Sequence, residues 1–339
     1  MDKNRVFGIF VCMLLLIGTI LPVSGTMASK TPSQNLMQGN ILYVGGIGPN
    51  NYSKIQDAID NASDGDTVFV FDDSSPYMEN IVIDSSISLN GEEKNTTVID
   101  GANIGNVVNI TADEVTIMGF TIRNGNNSGI YLTSNNNNIN DNIISDNFNG
   151  IEVRYENLST AIPTTIGHNT ISHNRIINSS GGIFALSGWN NTVQGNSVSH
   201  AEGGIILGAA MNTNISWNTI SECLFFGIWI LMSFNTAVYR NNISKNGYGV
   251  WTFVTSADTI LQNNFIGNNK SALSYQRFLS KIKSFTLKQD LPIRRNVWNG
   301  NYWDEPRSFP YMIPGVLLKV RFQFDWHPAQ TPYEIPMMS

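Results

Sequence analysis

Charge is scarce in this chain of 339 residues: Asp, Glu, Lys and Arg together make up 14%, against roughly 25% in an average soluble protein. Basic residues are in the minority, and the net charge of -6 excludes nucleic acid as a partner, because binding a phosphate backbone needs a basic surface. Cysteine is almost absent. Of the two, Cys12 lies in the apolar N-terminal run and Cys223 stands alone, so no intrachain disulfide is expected outside that run. Cys223 reads as a small buried hydrophobe rather than a reactive thiol. A sustained 3.6-residue apolar period is also missing, which excludes a repeat built of helix pairs. Asn, Ser, Thr and Gly take the place of charge, and neutral side chains of this kind tolerate being stacked on identical copies of themselves.

The one long hydrophobic run is at the start. Lys3 and Arg5 precede an uncharged stretch from Val6 to Val23, followed by small residues from Ser24 to Ala28. Residues 1–28 therefore read as a secretory signal peptide, with an uncleaved N-terminal anchor as the alternative. Either implies an exported protein, extracellular or at the cell surface, touching a membrane only through that segment. N-x-[ST] sequons at Asn61, Asn95, Asn109, Asn214 and Asn242 are compatible with a glycoprotein.

A period of about 22 residues runs through the middle of the chain. A Gly followed by Ile or Val recurs at Gly129, Gly150, Gly182, Gly204, Gly227 and Gly249. About eight residues before most of them stands an Asn: Asn142, Asn174, Asn196, Asn218 and Asn241, with Asn263 one coil beyond. Apolar residues flank each Asn at fixed offsets, as in Ile139/Ile144, Val193/Val198 and Ile260/Phe265, and Phe120 holds the Asn position one coil earlier. Short alternating segments are half-buried strands, and Gly-, Asn- and Ser-rich stretches turn the chain after each. One circuit advances the chain by about 4.8 Å, the inter-strand spacing, so equivalent residues stack and the Asn side chains form an amide ladder. This predicts an all-β fold, a single-stranded right-handed parallel β-helix (solenoid), over residues 41–269. The longer step between Gly150 and Gly182 places a protruding loop around Arg154 to Thr165.

Open coils need caps. Ser53-Lys54-Ile55-Gln56 fits a capping box, which predicts an N-terminal cap helix over residues 53–61 covering the first coil. The repeat is expected to stop at Asn269, with residues 270–339 forming an aromatic C-terminal tail that caps the last coil or folds back along the side.

The segment from Tyr52 to Ile59, leading into Asp64-Gly65-Asp66-Thr67-Val68, resembles the opening of NosD-type and related surface proteins. Gly91-Glu92, Ile99-Asp100-Gly101 and the Asn-rich repeats extend the likeness, and Trp298-Asn299-Gly300-Asn301-Tyr302-Trp303-Asp304 is similar to a motif that follows the repeats in archaeal members. The group is the right-handed parallel β-helix family of carbohydrate-binding proteins and sugar hydrolases. The resemblance implies the fold, but its members range from pectin and alginate enzymes to copper-site accessory proteins, so fold does not select the chemistry.

Alternation points one column of side chains outward two residues after each repeat Gly: Tyr131, Glu152, Phe184, Ile206, Trp229 and Trp251. A column polar at one end and aromatic at the other suits a polysaccharide or glycan, or is covered by the tail or by another cell-surface protein. A second column precedes the ladder Asn: Asp141, His173, Gly195, Trp217, Arg240 and Gln262. Tyr131, Glu152, Phe184, Trp217, Trp229 and Trp251 are thus the candidate substrate-binding residues. A glycoside hydrolase needs two facing carboxylates, and a lyase or epimerase needs a base and a charge neutraliser. Glu152, Arg154 and His173 are the residues that would serve, although the Asp-Asp and Gly-His-Gly motifs of pectin hydrolases are not found in the repeats and the Asp-Pro-His motif of alginate epimerases is absent. Asp64, Asp66, Asp72 and Asp73 are candidate calcium ligands, but acidic turns are commoner than sites, and no cofactor or metal is expected. The copper chemistry implied by NosD would call on His168, His173, His200 and His327. The expectation is an exported cell-surface protein, non-catalytic, that binds glycans or packs with other envelope components; a polysaccharide lyase, epimerase or hydrolase is the alternative, and a NosD-like copper-site accessory protein a minor one.

Overall fold

Alternation over three to six residues, broken by Asn- and Gly-rich corners, leaves each strand too short to be stable alone and able to persist only by pairing with its equivalent one coil away. The computed structural model shows that outcome, and describes residues 39–154, 166–186, 188–275, 282–283, 290–291, 294–315 and 322–336. The strands form a nine-, a ten- and a thirteen-stranded sheet. In each, successive coils pair in parallel, as with Thr192–Gln194 against Asn214–Ser216 and Ser197–Ser199 against Thr219–Ser221. The thirteen-stranded sheet ends in an antiparallel pair, Tyr311–Ile313 with Gln323–Asp325, and Ile282–Lys283 pairs antiparallel with Asp290–Leu291 apart from the three sheets. The fold is an all-β, right-handed-type parallel β-solenoid. The N-terminal apolar run and the segment at 155–165, expected to protrude as a loop, lie outside the described residues.

The core is three columns of aliphatic side chains, one per sheet. Ile139, Ile171, Val193, Ile215, Val238 and Ile260 lie in register in the thirteen-stranded sheet. Ile144, Ile176, Val198, Ile220, Ile243 and Phe265 do so in the ten-stranded sheet. Ile130, Ile151, Ile183, Ile205, Ile228 and Val250 complete the triangle in the nine-stranded sheet. All are buried, and fully burying each contributes about 1.5–3 kcal/mol. The repeat glycines keep φ negative and are required for space. A Cβ on Gly204 would collide with the carbonyl oxygen of Gly227 and with Ile220.

The Asn ladder closes its hydrogen bonds completely. The Asn218 Oδ1 accepts from the Asn196 backbone N–H at 2.8 Å and from Asn196 Nδ2 at 3.0 Å. Its own Nδ2 donates to Val193 O and to Asn241 Oδ1, both at 2.9 Å. Two donors and two acceptors are thereby all used, which is what makes a buried amide tolerable. The pattern runs from Asn142 through Asn174, Asn196, Asn218, Asn241 and Asn263 to Asn301. Phe120 opens it by donating its N–H to Asn142. Shorter columns stand at the other corners, Asn137–Asn169 and Asn246–Asn268.

Two expectations about the ends are revised. A helix spans Ile55–Asp60 and turns Ile55, Ala58 and Ile59 into the core, but Lys54 is its N-cap and no side chain of that segment caps it. The Glu79 carboxylate does so instead, accepting from the Ile55 and Gln56 N–H groups at 2.9 and 3.0 Å. Parallel pairing also continues past Asn269. Lys270–Tyr275 pairs with Tyr248–Phe253, Val297–Asn299 with Thr259–Leu261, and Tyr302–Trp303 with Asn264–Ile266. An insertion stretches the ladder step from Asn263 to Asn301 to 38 residues, which hides the period. The ladder then ends on Asp325, fully buried, whose carboxylate accepts from Gly300 N, Asn301 N, Asn301 Nδ2, Trp303 Nε1 and His327 N.

Candidate functional sites on the solenoid surface

The outward column of the nine-stranded sheet is in strict register: Asn109, Tyr131, Glu152, Phe184, Ile206, Trp229, Trp251 and Leu273 face out on successive coils. Its polar end is a closed cluster. The Glu152 carboxylate accepts from Ser128 Oγ at 2.8 Å, Asn149 Nδ2 at 3.0 Å and Arg154 Nη1 at 3.3 Å, and Glu152 is only 7% exposed. Its aromatic end is packed more tightly than a flat platform of rings. Trp229 and Trp251 stand 5.7 Å apart at 23°, Phe226 and Trp229 5.1 Å at 30°, and Tyr248 and Trp251 5.6 Å at 30°. Near-parallel rings at these separations overlap, so part of each face is turned to its neighbour. Trp229 is 5% exposed, whereas Phe184, Trp251 and Phe253 are half-buried around it.

Trp217 and His173 lie elsewhere, on the corner between the thirteen- and ten-stranded sheets. The residue before each ladder Asn is left-handed there: Asp141, His173, Gly195, Trp217, Arg240 and Gln262 have φ between 51° and 64°. His173 is exposed and its Nδ1 faces Asn140 Oδ1 at 3.2 Å. Trp217 meets Tyr239 edge to face at 6.1 Å. The Arg240 guanidinium lies 5.1 Å from the Trp217 ring, 5.3 Å from Tyr239 and 5.8 Å from Tyr333. Of the sequence candidates, then, Tyr131, Glu152, Phe184, Trp229 and Trp251 share one face and Arg154 joins Glu152, while His173 and Trp217 share a corner. Arg240 gains its setting from Tyr333, 93 residues away in sequence, which no local signal announces.

The acidic N-terminal turns have structural partners. Asp66 accepts from Asn40 N and Ser63 N, Asp64 from Ser86 N, Asp72 from Thr96 Oγ1 and Asp73 from Gly46 N. Asn214, Asn242 and Asn109 of the sequons lie in strands, whereas Asn61 and Asn95 are exposed. Among the described residues no helix is long and apolar enough to cross a membrane.

With this geometry in view, comparison with known proteins is informative. The family model described as "Periplasmic copper-binding protein (NosD)" matches residues 59–308, and the chain belongs to that family. No curated protein sequence matches it. Among solved structures, XylC in complex with xylose superposes with a TM-score of 0.63 at 12% identity, covering 84% of this chain and 73% of that one. Pectate lyase Pel9A gives a TM-score of 0.51 at 14% identity over 79% and 76%. Likenesses at these identities establish the solenoid and no more.

Copper, implied by the family's description, needs convergent imidazole, thioether or thiolate donors. The four histidines are dispersed: His168 packs on Trp189, His173 faces Asn140, His200 pairs with Glu222 and His327 faces Asn299. Cys223 is a buried member of the hydrophobic core, and burial pushes its thiol up to about 12. Among the described residues no group of three or more His, Cys, Asp or Glu could hold a metal. The described His, Cys, Asp and Glu residues therefore do not assemble a copper centre.

Proposed function

We propose that this NosD-family chain is an exported, non-catalytic protein of the cell surface or extracellular space, and that it binds glycans along the outward face of the nine-stranded sheet. The observation that carries the reading is the unbroken register of Tyr131, Glu152, Phe184, Ile206, Trp229 and Trp251. It forms a rigid strip, with the half-buried Tyr131 and Arg154 beside the closed Glu152 cluster at one end and half-buried ring surface at the other. Sugars present both hydroxyls and apolar C–H faces, and such a strip meets the two needs in adjacent coils.

The same strip argues against hydrolysis. Cleaving a glycosidic bond takes two carboxylates roughly 5–9.5 Å apart. Glu152 has Tyr131 and Phe184 as its neighbours above and below, and its oxygens are already held by Ser128, Asn149 and Arg154. A lyase or epimerase assembled from Glu152, Arg154 and His173 would need His173 on this face, whereas it lies on another corner. The second reading, packing against another envelope component, draws on the partly buried Phe184, Ile206, Phe226, Trp251 and Phe253 that surround Trp229 and Leu231, since apolar outer patches usually have a covering partner.

The test is glycan-array binding by the full chain and by a Phe184→Ala/Trp251→Ala double variant, with bound polymers assayed for cleavage. Glycan binding lost in a variant that still melts like the wild type would support the reading. Cleavage products would overturn the non-catalytic part. Absence of any glycan binding would transfer the strip to a protein partner.

A further inference from the structure

The corner carrying Trp217 and Arg240 is separate from the strip. Gly195 and Gly300 adopt φ of 64° and 67° at this corner, as glycine does without steric conflict. Trp217 and Arg240 hold φ of 60° and 51° in the same column, the left-handed conformation shared by the residue before each ladder Asn from Asp141 to Gln262.

Arg240 is arranged to receive an anion. Its guanidinium is flanked by the Trp217, Tyr239 and Tyr333 rings, and its Nε donates to Gln262 Oε1 at 3.1 Å. Tyr333 is itself fixed by its hydroxyl donating to Gly300 O. Both Nη groups of Arg240 lack a hydrogen-bond partner among the described residues. No carboxylate there pairs with it, although acids outnumber bases in the chain and Arg123, Arg154 and Lys94 each have an acidic partner. A second guanidinium stands on the same edge. Arg175 is exposed, without an ion pair among the described residues, and lies in the row Ile143–Arg175–Ser197–Thr219–Asn242. Three coils separate it from Arg240, about 14 Å along the axis at the inter-strand spacing. His173 is in the same coil as Arg175.

From this arrangement we propose that the corner is a subsite for carboxylated polysaccharide, a linear chain bearing uronate units. One carboxylate would dock on the Arg240 fork with its sugar against Trp217 and Tyr333, and the chain would run along the axis to Arg175. A planar guanidinium held by rings matches a carboxylate in two-point geometry, and the flanking rings take the apolar face of the sugar. Two cations a few coils apart select a polymer with repeating charge over a single small anion. The inference rests on the glycan-binding reading and sharpens it to acidic glycans, at a surface distinct from the strip.

The probe is a series of oligogalacturonates titrated into the full chain by calorimetry and tryptophan fluorescence. Neutral oligosaccharides and sulfated oligosaccharides of equal length run in parallel, and each variant's melting is checked. Binding of the carboxylated series is expected, weakening with salt. Arg240→Gln should weaken it roughly tenfold or more, the loss of a charge-assisted bond, and Arg240→Lys should restore it only in part. Arg175→Gln should weaken long oligomers and leave the dimer unaffected. Phe184→Ala/Trp251→Ala should leave this binding intact. Equal binding of neutral chains, binding of sulfated chains alone, or an unaffected Arg240→Gln variant would overturn the acidic subsite. If neutral glycans bind and are lost only in the Phe184/Trp251 variant, the strip stands and the corner falls. If no glycan of any kind binds, both fall.

Discussion

Asp325→Asn exchanges one oxygen for an NH2 group at the end of the amide ladder, and the geometry fixes what that costs. The carboxylate takes five donors: Asn301 N at 2.8 Å, Gly300 N and Asn301 Nδ2 at 3.0 Å, Trp303 Nε1 at 3.1 Å and His327 N at 3.2 Å. An Asn within the ladder needs its NH2 because a further coil offers an acceptor, whereas at the last rung every neighbour donates. The least damaging orientation of the new amide keeps its oxygen toward Asn301 and Trp303, and turns NH2 against the Gly300 and His327 N–H groups. Water can reach exposed His327, but Gly300 is half-buried, so at least one donor goes unmet at about 1–3 kcal/mol, and the retained bonds lose their charge assistance. A total of about 3 kcal/mol corresponds to roughly hundredfold faster exchange of the amides it protects. Coils touch only their neighbours, so the loss should stay local. Hydrogen-exchange mass spectrometry of wild type and variant should show lost protection across residues 297–303 and unchanged protection across 214–221. Exchange at 297–303 within about twofold of wild type would refute the reasoning, because by this account the last rung cannot accept an amide without losing protection.

Asp258 also stands in an amide column, accepting from Thr236 N and donating its own N–H to Asn296 Oδ1, and burial pushes its carboxyl up from 3.8 to about 7. Below pH ~4 the group is neutral folded and unfolded and costs nothing; between about 4 and 7 only the unfolded chain ionises freely, so stability falls by a few kcal/mol as pH rises. Asp258→Asn should flatten that part of the curve and stabilise the protein at pH 8 but not at pH 4, with urea midpoints at the two pH values as the readout. Gly204→Ala should cost about 1–3 kcal/mol through overpacking against Gly227 and Ile220 and lower the thermal midpoint, even though its φ suits alanine. Glu79→Gln should weaken the cap of the Ile55–Asp60 helix by about 1 kcal/mol, read as faster exchange of the Ile55 and Gln56 amides with the distant ladder unaffected.

Much of the solenoid was legible because its buried columns are one-dimensional: an Ile or Val at fixed offsets from an Asn is required afresh in every coil. Legibility failed where an insertion broke the count. Ile260, Asn263 and Phe265 have the same offsets as Trp298, Asn301 and Trp303, so the last coil carried the repeat's signature in aromatic form, 38 residues on. The helix cap was misread for a different reason. Ser53 to Gln56 has the local pattern of a capping box, but Glu79 reaches the same donors from the next coil, and tertiary partners of that kind leave no local trace. The shorter Asn columns were obscured by Thr213, Thr236 and Asp258, which stand where the Asn137–Asn169 column would continue.

The surface was legible in direction but not in contact. Alternation told which side chains leave the nine-stranded sheet; it could not tell that Phe226, Trp229, Tyr248 and Trp251 would turn their faces on one another. The corner column carries the stronger lesson about how such a fold acquires specificity. Each ladder Asn is held from both sides by backbone and amide partners, as Asn218 is by Asn196, Val193 and Asn241. The residue before it is thereby set in the left-handed conformation and pointed outward at no cost to the ladder's own bonds. Asp141, His173, Trp217, Arg240 and Gln262 differ in chemistry yet share φ between 51° and 60°. Geometry supplied by one buried column, with chemistry left free at its neighbour, lets a solenoid change what it recognises coil by coil without altering how it stands.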